Sequence, residues 1–220
     1  MVVKRRYEST HRQDQARRTR RAVLDAARTL FVRSGYGGTT LAAIAEEAGV
    51  AVQTVYKIFG NKKTLLSELV DVAIAGDDEP TELAQRRFVA DIRALPDARA
   101  KLARYARHLV ETHTRQAEVM LAVAGAALVD GDAAEIWEKN RAERRAGMSM
   151  FAADLAATGE LRPDYSRDEI VDVLWLAMDV HNFDYLVRQR GWEPTRFEAW
   201  YVDTVAAALL TGPDPATTDR

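Results

Sequence analysis

The clearest structural signal in this chain is TTLAAIAEEAGVAVQTVYKIF, residues 39–59. Its apolar residues recur at helical spacing on both sides of Gly49, which predicts two short helices joined by a tight turn. Thr40 is a suitable N-cap for the first helix, and Gly49 tolerates the positive φ that such a turn needs. Ala45 gives the small contact position that two steeply crossing helices require. The predicted apolar faces consist of Leu41, Ile44, Ala45 and Ala48 in the first helix and Val50, Val52, Val55 and Phe59 in the second.

The second helix leaves a polar face for solvent, formed by Gln53, Thr54, Tyr56 and Lys57. These side chains can hydrogen-bond to base edges and phosphates, and Gln53 suits bidentate contact with adenine. The alternative is a helical hairpin with a polar outer face, which any all-α protein can contain. The motif alone leaves both interpretations open, so the flanking sequence is needed to choose between them.

A further helix is predicted to begin after Asn61, a suitable N-cap, and to end at Gly76. Lys62 lies in its first turn, where a cation opposes the helix dipole. A phosphate bound at this helix end would remove the conflict, because the free amides and the lysine both favour it. A tolerated surface lysine is the alternative.

Composition narrows the class of protein. The chain has 220 residues, 47% hydrophobic and 29% charged, which suffices for one large or two smaller domains. The absence of cysteine excludes disulfides and thiolate metal sites and fits a cytoplasmic location. The longest apolar run, Val119–Val129, has 11 residues, too short to span a bilayer, so no membrane partner is expected. The histidines lack metal-ligand spacing, so we predict no metal and no cofactor.

Charge is distributed unevenly along the chain. Residues 1–75 hold 13 Lys/Arg against 7 Asp/Glu, a net charge of +6, whereas residues 76–220 hold 18 against 26, a net charge of −8. This asymmetry predicts a polyanion-binding head on a body that does not bind polyanions. The basic residues 1–15 are interpreted as a mobile arm that lies along a DNA groove or phosphate backbone, a solvated tail being the alternative.

The sequence predicts helices throughout, and no segment shows the alternating apolar pattern of a β-strand. A helix over residues 14–34 is predicted to end at Gly35, and arginines at 17, 18, 20 and 21 dominate its outer faces. The glycines in residues 35–38 follow a helix and lack the GxxxxGK pattern, which argues against a phosphate-binding loop. The predicted domains are a basic arm at 1–15, a helix-turn-helix domain at 16–60 with a connecting helix at 61–76, a helical domain at 77–210, and a disordered tail at 211–220.

The stretch from Arg21 to Leu66 resembles the DNA-binding domain of the TetR-type transcriptional regulators. Two departures are visible: Ala51 stands where many members have a capping serine or threonine, and Ile58 where an aromatic residue or histidine is common. Each departure predicts a weaker or missing contact. The matching motifs are Ala26-Ala27, Leu30-Phe31, Gly35-Tyr36, Thr39-Thr40, Ile44-Ala45, Ala48-Gly49-Val50, Thr54-Val55-Tyr56, Phe59, Asn61-Lys62-Lys63 and Leu65.

The remaining sequence predicts a polar turn at 77–80 and then several amphipathic helices. The expected helices cover a short segment that ends at Pro96, then residues 97–114, with Asp97 as the cap, and then 115–129, 131–158, 167–189 and 194–210. The last two carry more apolar surface than one layer requires, and the resemblance implies that they form a four-helix interface in a homodimer. The residues predicted for this interface are Leu174, Val180, Phe183, Phe197, Trp200, Tyr201 and Val205.

A ligand pocket is the second expectation for this part of the chain. The small residues between 122 and 127 can leave space or permit close helix packing. The alternative for every candidate is an ordinary core position or a hydrogen-bonded structural histidine. The polar-tipped or adaptable residues that could line such a pocket are Tyr105, His108, Met120, Trp137, Phe151, Trp175 and His181.

These features together predict an all-α protein with an N-terminal three-helix helix-turn-helix DNA-binding domain and a C-terminal helical ligand-binding and dimerisation domain. Its expected partners are a palindromic double-stranded DNA operator, a second copy of itself and an unknown small-molecule effector that releases the DNA. Repression is implied by the resemblance alone. The residues expected at phosphates are Thr39, Thr40 and Lys62.

Two other classes of function stay open. One is a helical small-molecule-binding or scaffold protein whose helix-turn-helix does not read DNA. The other is an enzyme acting on nucleotides, which is disfavoured because the sequence offers no convincing nucleophile, metal cluster or phosphate loop.

Overall fold

The computed structural model describes residues 2–76 and 87–211, with side chains from residue 14 onward. Within these residues the chain is helical and has no strand, apart from one isolated antiparallel bridge between Leu161 and Leu210. The all-α fold class is therefore confirmed. The chain divides into two compact units: the first contains residues 1–73 and 118–137, and the second contains residues 74–117 and 138–220.

The first unit is built on four helices and the tip of a later helix pair. Its core is lined by Val23, Ala27, Phe31, Ile44, Val55, Phe59, Leu65 and Leu66, each at most 3% exposed. Tight packing of this kind fixes the relative positions of short helices that would be marginal alone. The four helices are α1 (Val2–Gly38), α2 (Leu41–Glu47), α3 (Val52–Phe59) and α4 (Lys62–Ala75).

Helix α1 differs from its prediction at its N-terminal end and agrees with it at Gly35. Its backbone is helical from Val2, whereas the sequence predicted a mobile arm through residue 15; the side chains of residues 1–13 lie outside the described residues. No glycine or proline interrupts residues 2–34, and the Arg, Lys and Gln there are good helix formers, which explains the longer helix. At the other end, Gly35 has a φ of 73° and interrupts the helix where a break was predicted.

The other helices contribute mainly to the second unit. Helices α6 and α7 each pass from one unit into the other, because residues 118–137 belong to the first. The helices are α5 (Arg87–Arg93), α6 (Ala98–Ala126), α7 (Gly131–Ala156), α8 (Arg167–Ala177), α9 (Val180–Phe183) with a π-helical turn (Asp184–Gln189), and α10 (Pro194–Leu209).

Helix α6 corrects the prediction of two helices that meet at residues 114 and 115. It begins after Asp97, whose carboxylate accepts from the Ala100 amide at 2.7 Å as predicted for a cap, and then continues without a break. The hydroxyl of Thr114 donates to the Val110 carbonyl at 2.8 Å, a bond that is made within the helix. With no glycine or proline between 98 and 124, nothing in the local sequence ends the helix.

A second correction concerns residues 167–189, which were predicted as one helix. Helix α8 starts with a capping box, in which Ser166 and Glu169 exchange side-chain and backbone hydrogen bonds, and it ends at Ala177. Asp179 has extended backbone angles and caps α9, its carboxylate accepting from the His181 amide at 3.0 Å. Of the predicted tail at 211–220, only Thr211 is described, and its amide donates to the Glu160 carbonyl at 2.9 Å. The predicted polar turn at 77–80 lies outside the described residues. Among the helices that are described, none is long and apolar enough to cross a membrane.

Candidate nucleic-acid interface

The turn between α2 and α3 is held by backbone geometry. Gly49 has a φ of 66°, and the Val50 amide donates to the Ala45 carbonyl at 2.9 Å. At the start of α2, the Thr40 hydroxyl accepts from the Ala43 amide at 3.1 Å. These contacts confirm the helix, turn and helix predicted from residues 39–59, including the cap and the glycine.

Helix α3 presents a polar face that its buried residues hold in place. Val55 and Phe59 are 0% and 3% exposed, so they anchor one side of the helix in the core. On the opposite side Gln53, Tyr56 and Lys57 are exposed; they stand three and four residues apart and therefore share one face. Thr54, also predicted to contact DNA, is half-buried. The face carries an amide, a phenol and an ammonium, the donors and acceptors that base edges and phosphates require.

The start of α3 lacks a side-chain cap. Ala51 occupies the N-cap position with φ −69° and ψ 142°, and no side-chain hydrogen bond is made there. The first turn is closed by the Thr54 amide, which donates to the Ala51 carbonyl at 2.9 Å. The predicted weakness at this position is thus present in the structure.

Lys62 has protein partners that the sequence did not predict. Its ammonium donates to the carbonyls of Tyr36 at 3.0 Å and Thr39 at 3.2 Å, and lies 4.1 Å from the centroid of the Tyr36 ring. The Tyr36 carbonyl also accepts from the Thr39 amide at 3.2 Å, so the lysine adds a second donor there and supplies one to the Thr39 carbonyl just after α1. These bonds offset its unfavourable position in the first turn of α4. One of its three N–H donors remains for a phosphate, so that contact stays a prediction.

Thr39 and Thr40 differ in what they can offer a phosphate. The Thr39 side chain is buried, at 3% exposure, and its hydroxyl lies 2.8 Å from the Gly35 carbonyl and 3.2 Å from that of Leu30. A phosphate contact through this hydroxyl does not fit that position, because the group is enclosed by the end of α1. Thr40 is exposed, and since its oxygen accepts from a backbone amide, its hydroxyl hydrogen is available to a phosphate.

The tip of the α6–α7 pair is joined to α4 and α1 within the first unit. Lys63, in the first turn of α4, bonds to Glu135 and lies 3.4 Å from Asp132, both near the start of α7. The hydrogen bond that Lys63 donates to Glu135 is the main reason that the pKa of Lys63 is raised. Arg28 of α1 lies 3.4 Å from Glu118 of α6. Sequence reasoning missed these pairs because their members are 72 and 90 residues apart and carry no local signal.

The residues predicted for a ligand pocket are not gathered in one unit. Met120 and Trp137 belong to the first unit, and the other five belong to the second. His108 is half-buried and stacks on Phe88 with ring centroids 3.6 Å apart, whereas His181 is exposed and bonds to Asp179.

An aromatic cluster in the second unit contains two of the predicted pocket residues. The buried ring of Tyr105 stacks on Phe151 at 4.8 Å between centroids and lies 5.7 Å from Tyr201. Burial raises the pKa of both tyrosines, and the Tyr201 hydroxyl has no hydrogen-bond partner among the described residues. Trp175 is instead half-buried and lines an open groove of about 490 Å³ with Arg141, Arg145, Asp172, Leu176 and neighbouring residues of α7 and α8.

His113 is the buried histidine that the sequence analysis did not single out. It is 1% exposed; its Nε2 donates to the Met178 carbonyl at 2.9 Å, and its Nδ1 accepts from the Gln116 amide nitrogen at 3.0 Å. Burial lowers the pKa of His113 to about 4, so the ring is neutral at pH 7. The carbonyl it binds is the one freed where α8 ends, which explains how this histidine stabilises the helix break. Its spacing on α6 is that of any core residue, so no sequence signal marked it.

Most residues predicted for the dimer interface form the core of the second unit instead. Trp200 is the exception, being half-buried on α10. Side chains already enclosed within one chain cannot cover a partner, so this part of the prediction is wrong. The sequence pattern identified apolar faces without showing which of them packs inward. The enclosed residues, each at most 2% exposed, are Leu174, Val180, Phe183, Phe197, Tyr201 and Val205.

Comparison with known proteins locates the family signal in the first unit. Residues 23–69 match the model of the bacterial regulatory proteins of the tetR family. The chain is 43% identical over 54 residues to the HTH-type transcriptional regulator YvkB of Bacillus subtilis, and 41% identical over 58 residues to the HTH-type transcriptional regulator TtgR of Pseudomonas putida. These matches cover 24% and 26% of this chain, and 29% and 28% of those relatives. The chain is thus matched over less than a third of the length of its curated relatives.

Solved structures extend the likeness to the fold of most of the chain. A proposed transcriptional regulator from Saccharomonospora viridis in complex with choline superposes with a TM-score of 0.64 at 23% identity, over 88% of this chain and 98% of that one. A transcriptional regulator from Rhodococcus sp. Rha1 gives 0.61 at 19% identity, over 88% and 99%. At such identities the comparison establishes the fold alone.

The fixed helix-turn-helix, the exposed polar face of α3 and the matched sequence define a helix-turn-helix DNA-binding domain. That domain is of the tetR family of bacterial regulatory proteins, as the resemblance of residues 21–66 predicted.

Proposed function

We propose that the chain is a transcriptional regulator that binds a palindromic DNA operator as a homodimer, represses transcription and is released by a small-molecule effector. The observation that carries the proposal is the exposed face of α3, where Gln53, Tyr56 and Lys57 stand on a helix whose other side is anchored by Val55 and Phe59. A rigid support for exposed hydrogen-bonding groups is what base recognition requires.

The roles proposed on this face differ by chemistry. Gln53 reads adenine through its amide, while Tyr56 and Lys57 contact bases or phosphates beside it. Thr54 is half-buried and contributes only at its exposed edge. Thr40 and the remaining donor of Lys62 contact phosphates.

A dimer is supported by the short length of α3, the helix proposed to contact the bases. Helix α3 has eight residues and can contact only a few base pairs, so specificity for one genomic site needs two copies. Two reading heads set roughly 34–36 Å apart would meet successive major grooves. Most residues predicted for the dimer interface are enclosed within one chain. We therefore place the proposed dimer surface on the outer side of α8, where Leu176 is 67% exposed.

Effector release is supported by buried polar atoms in the second unit. The Oε1 of Gln116, the Oδ1 of Asn140 and the hydroxyl of Tyr201 are buried without a partner among the described residues. An unpaired buried polar atom costs free energy, and a ligand with hydrogen-bonding groups could satisfy it. Choline, which is bound in the Saccharomonospora viridis structure, is a reasonable first compound to try.

The alternative class is a helical small-molecule-binding or scaffold protein that does not read DNA. Selection of bound sequences from a random duplex pool separates the two. We expect enrichment of one two-fold-symmetric site, with log affinity falling linearly as log salt rises. If no sequence is enriched and only weak salt-sensitive binding is seen, the regulator proposal fails and the second unit becomes the place to look for function.

A further inference from the structure

The positive charge of the N-terminal third lies ahead of the helix-turn-helix core. Residues 1–21 contain eight Lys/Arg against two Asp/Glu, whereas residues 22–75 contain five of each. The core that carries α2 and α3 is therefore electrically neutral overall. Cations that displace counterions from phosphates supply much of the affinity of proteins for DNA. The core alone is poorly equipped to supply that part of the binding energy.

Several cations of the core are also engaged within the protein. Lys62 donates to two backbone carbonyls, Lys63 is bonded to a carboxylate of α7, and Arg28 is paired with a carboxylate of α6. Each of these contacts would have to be weakened or shared before the cation could bind a phosphate. Lys57 on α3 is the exposed cation of the reading face.

Helix α1 continues ahead of the core as an exposed cationic segment. Val23 is the first buried residue among the described side chains, and none of residues 14–22 is buried. Arg17, Arg18 and Arg21 are all exposed, and Arg21 has only a 3.6 Å contact with Asp25. A polar helical segment of this kind gains little from packing in the isolated chain, so its retention as a helix would be favoured by a polyanionic partner.

This segment starts next to the reading helix. The guanidinium of Arg20 lies 5.2 Å from the centroid of the ring of Phe59, the last residue of α3, and 2.5 Å from the carboxylate of Glu68 on α4. The exposed arginines at 17, 18 and 21 flank that contact on the same helix. At 1.5 Å per residue, α1 ahead of Val23 is roughly 30 Å long, enough to follow the phosphate backbone beyond the base pairs that α3 reaches.

We propose that Arg17, Arg18 and Arg21 on the projecting part of α1 form a second DNA surface that binds phosphates, separate from the base-reading face of α3. The proposal rests on DNA binding as the proposed function. It divides the work between two elements of the first unit: α1 supplies sequence-independent affinity, and α3 supplies the choice of site.

The test compares the full chain with the triple variant R17Q/R18Q/R21Q on two duplexes, the selected site and a scrambled sequence of equal length. We expect the variant to lose affinity by the same factor on both duplexes, so that their ratio is unchanged. The slope of log affinity against log salt should fall by about 0.9 for each phosphate contact removed. Thermal unfolding should be unchanged, since all three side chains are exposed.

The matched control is R107Q/R167Q/R190Q, which removes the same charge from three exposed arginines of the second unit. It should bind DNA like the unmodified chain. Equal affinity and equal salt slope for the R17Q/R18Q/R21Q variant would overturn the proposal, as would a loss confined to the selected site. If the unmodified chain binds no duplex at all, the proposed function has failed, and this inference fails with it.

Discussion

Lys62 shows how one residue can have a local explanation other than the one its sequence position suggests. A cation in the first turn of a helix invites a bound phosphate as its explanation. The structure gives it instead two carbonyls at the end of α1 and the face of the Tyr36 ring. The pKa of Tyr36 is raised to about 12, mainly by burial and to a smaller extent by the negative charges of Asp132 and Asp130. The phenol therefore stays neutral beside the ammonium.

Replacing Lys62 should therefore weaken the fold as well as any phosphate contact. In Lys62→Met both carbonyls lose the ammonium, although the Tyr36 carbonyl keeps its bond from the Thr39 amide. The free energy of unfolding should fall by about 1–3 kcal/mol. Urea unfolding measures the change. The matched variant Lys57→Met, which removes an exposed cation from α3, should stay within about 0.5 kcal/mol of the unmodified chain. Equal transitions for all three proteins would show that Lys62 has no structural role.

His113 gives the stability of the protein a pH dependence. The pKa of His113 is about 4 in the folded chain because of burial, against about 6.5 in an unfolded chain. A lowered folded pKa means that its contribution is complete above pH 6.5 and is lost as the pH falls toward 4. Between pH 7 and pH 5 this group alone should reduce the free energy of unfolding by about 2 kcal/mol.

The variant His113→Gln isolates that contribution, because glutamine can still donate to the Met178 carbonyl but does not titrate. Between pH 7 and pH 5 the unmodified chain should lose about 2 kcal/mol more of its free energy of unfolding than the His113→Gln variant loses. Parallel pH profiles for the two proteins would contradict the neutral, buried state of His113.

At the scale of helices, the start of α3 offers a direct test of capping. Ala51 already has the extended backbone angles of an N-cap and lacks only an acceptor. Ala51→Ser should raise the free energy of unfolding by about 1 kcal/mol, because its hydroxyl can accept from an open amide of the first turn. Chemical denaturation measures this, with Ala51→Val as a control of larger size without a hydroxyl. A serine variant no more stable than the valine variant would show that the missing side-chain cap costs the protein no stability.

The sequence could predict those helix ends that are fixed by residues close by in the chain. The caps at Thr40, Asn61 and Asp97 and the positive φ of Gly49 are local, and the sequence located all four. The break between α8 and α9 depends on a carbonyl bound by His113, 65 residues away, and was missed. Long-range contacts of this kind leave no trace in the spacing of nearby residues.

The candidate site divides in the same way. The exposed face of α3 could be predicted because helical period assigns Val55 inward and Gln53 outward. The pocket and dimer residues could not, because they depend on which apolar face of each long helix meets another. Phe197 and Tyr201 were expected at a partner surface and are fully enclosed.

For the whole molecule, the proposed dimer requires that the outer side of α8 contact a second copy of the chain. Leu176→Glu places a charge on the 67% exposed side chain of the proposed surface and should shift the chain from dimer to monomer with loss of operator affinity. Sedimentation of the two proteins at equal concentration measures the shift. Leu128→Glu, at an 85% exposed position between α6 and α7, is the matched control and should remain dimeric. A dimeric Leu176→Glu variant would place the interface elsewhere.

If the outer face of α3 chooses the DNA sequence, the loss of Gln53 must change the preference for particular base pairs. Binding of the unmodified chain and of Gln53→Ala is compared on a panel in which each base pair of the selected site is changed in turn. The claim predicts that Gln53→Ala loses its preference at one or two base pairs per half-site, a change of about 1–3 kcal/mol, and keeps it elsewhere. A variant that follows the unmodified chain at every base pair would contradict base reading by Gln53, and a uniform loss across the panel would assign the residue to the phosphate backbone.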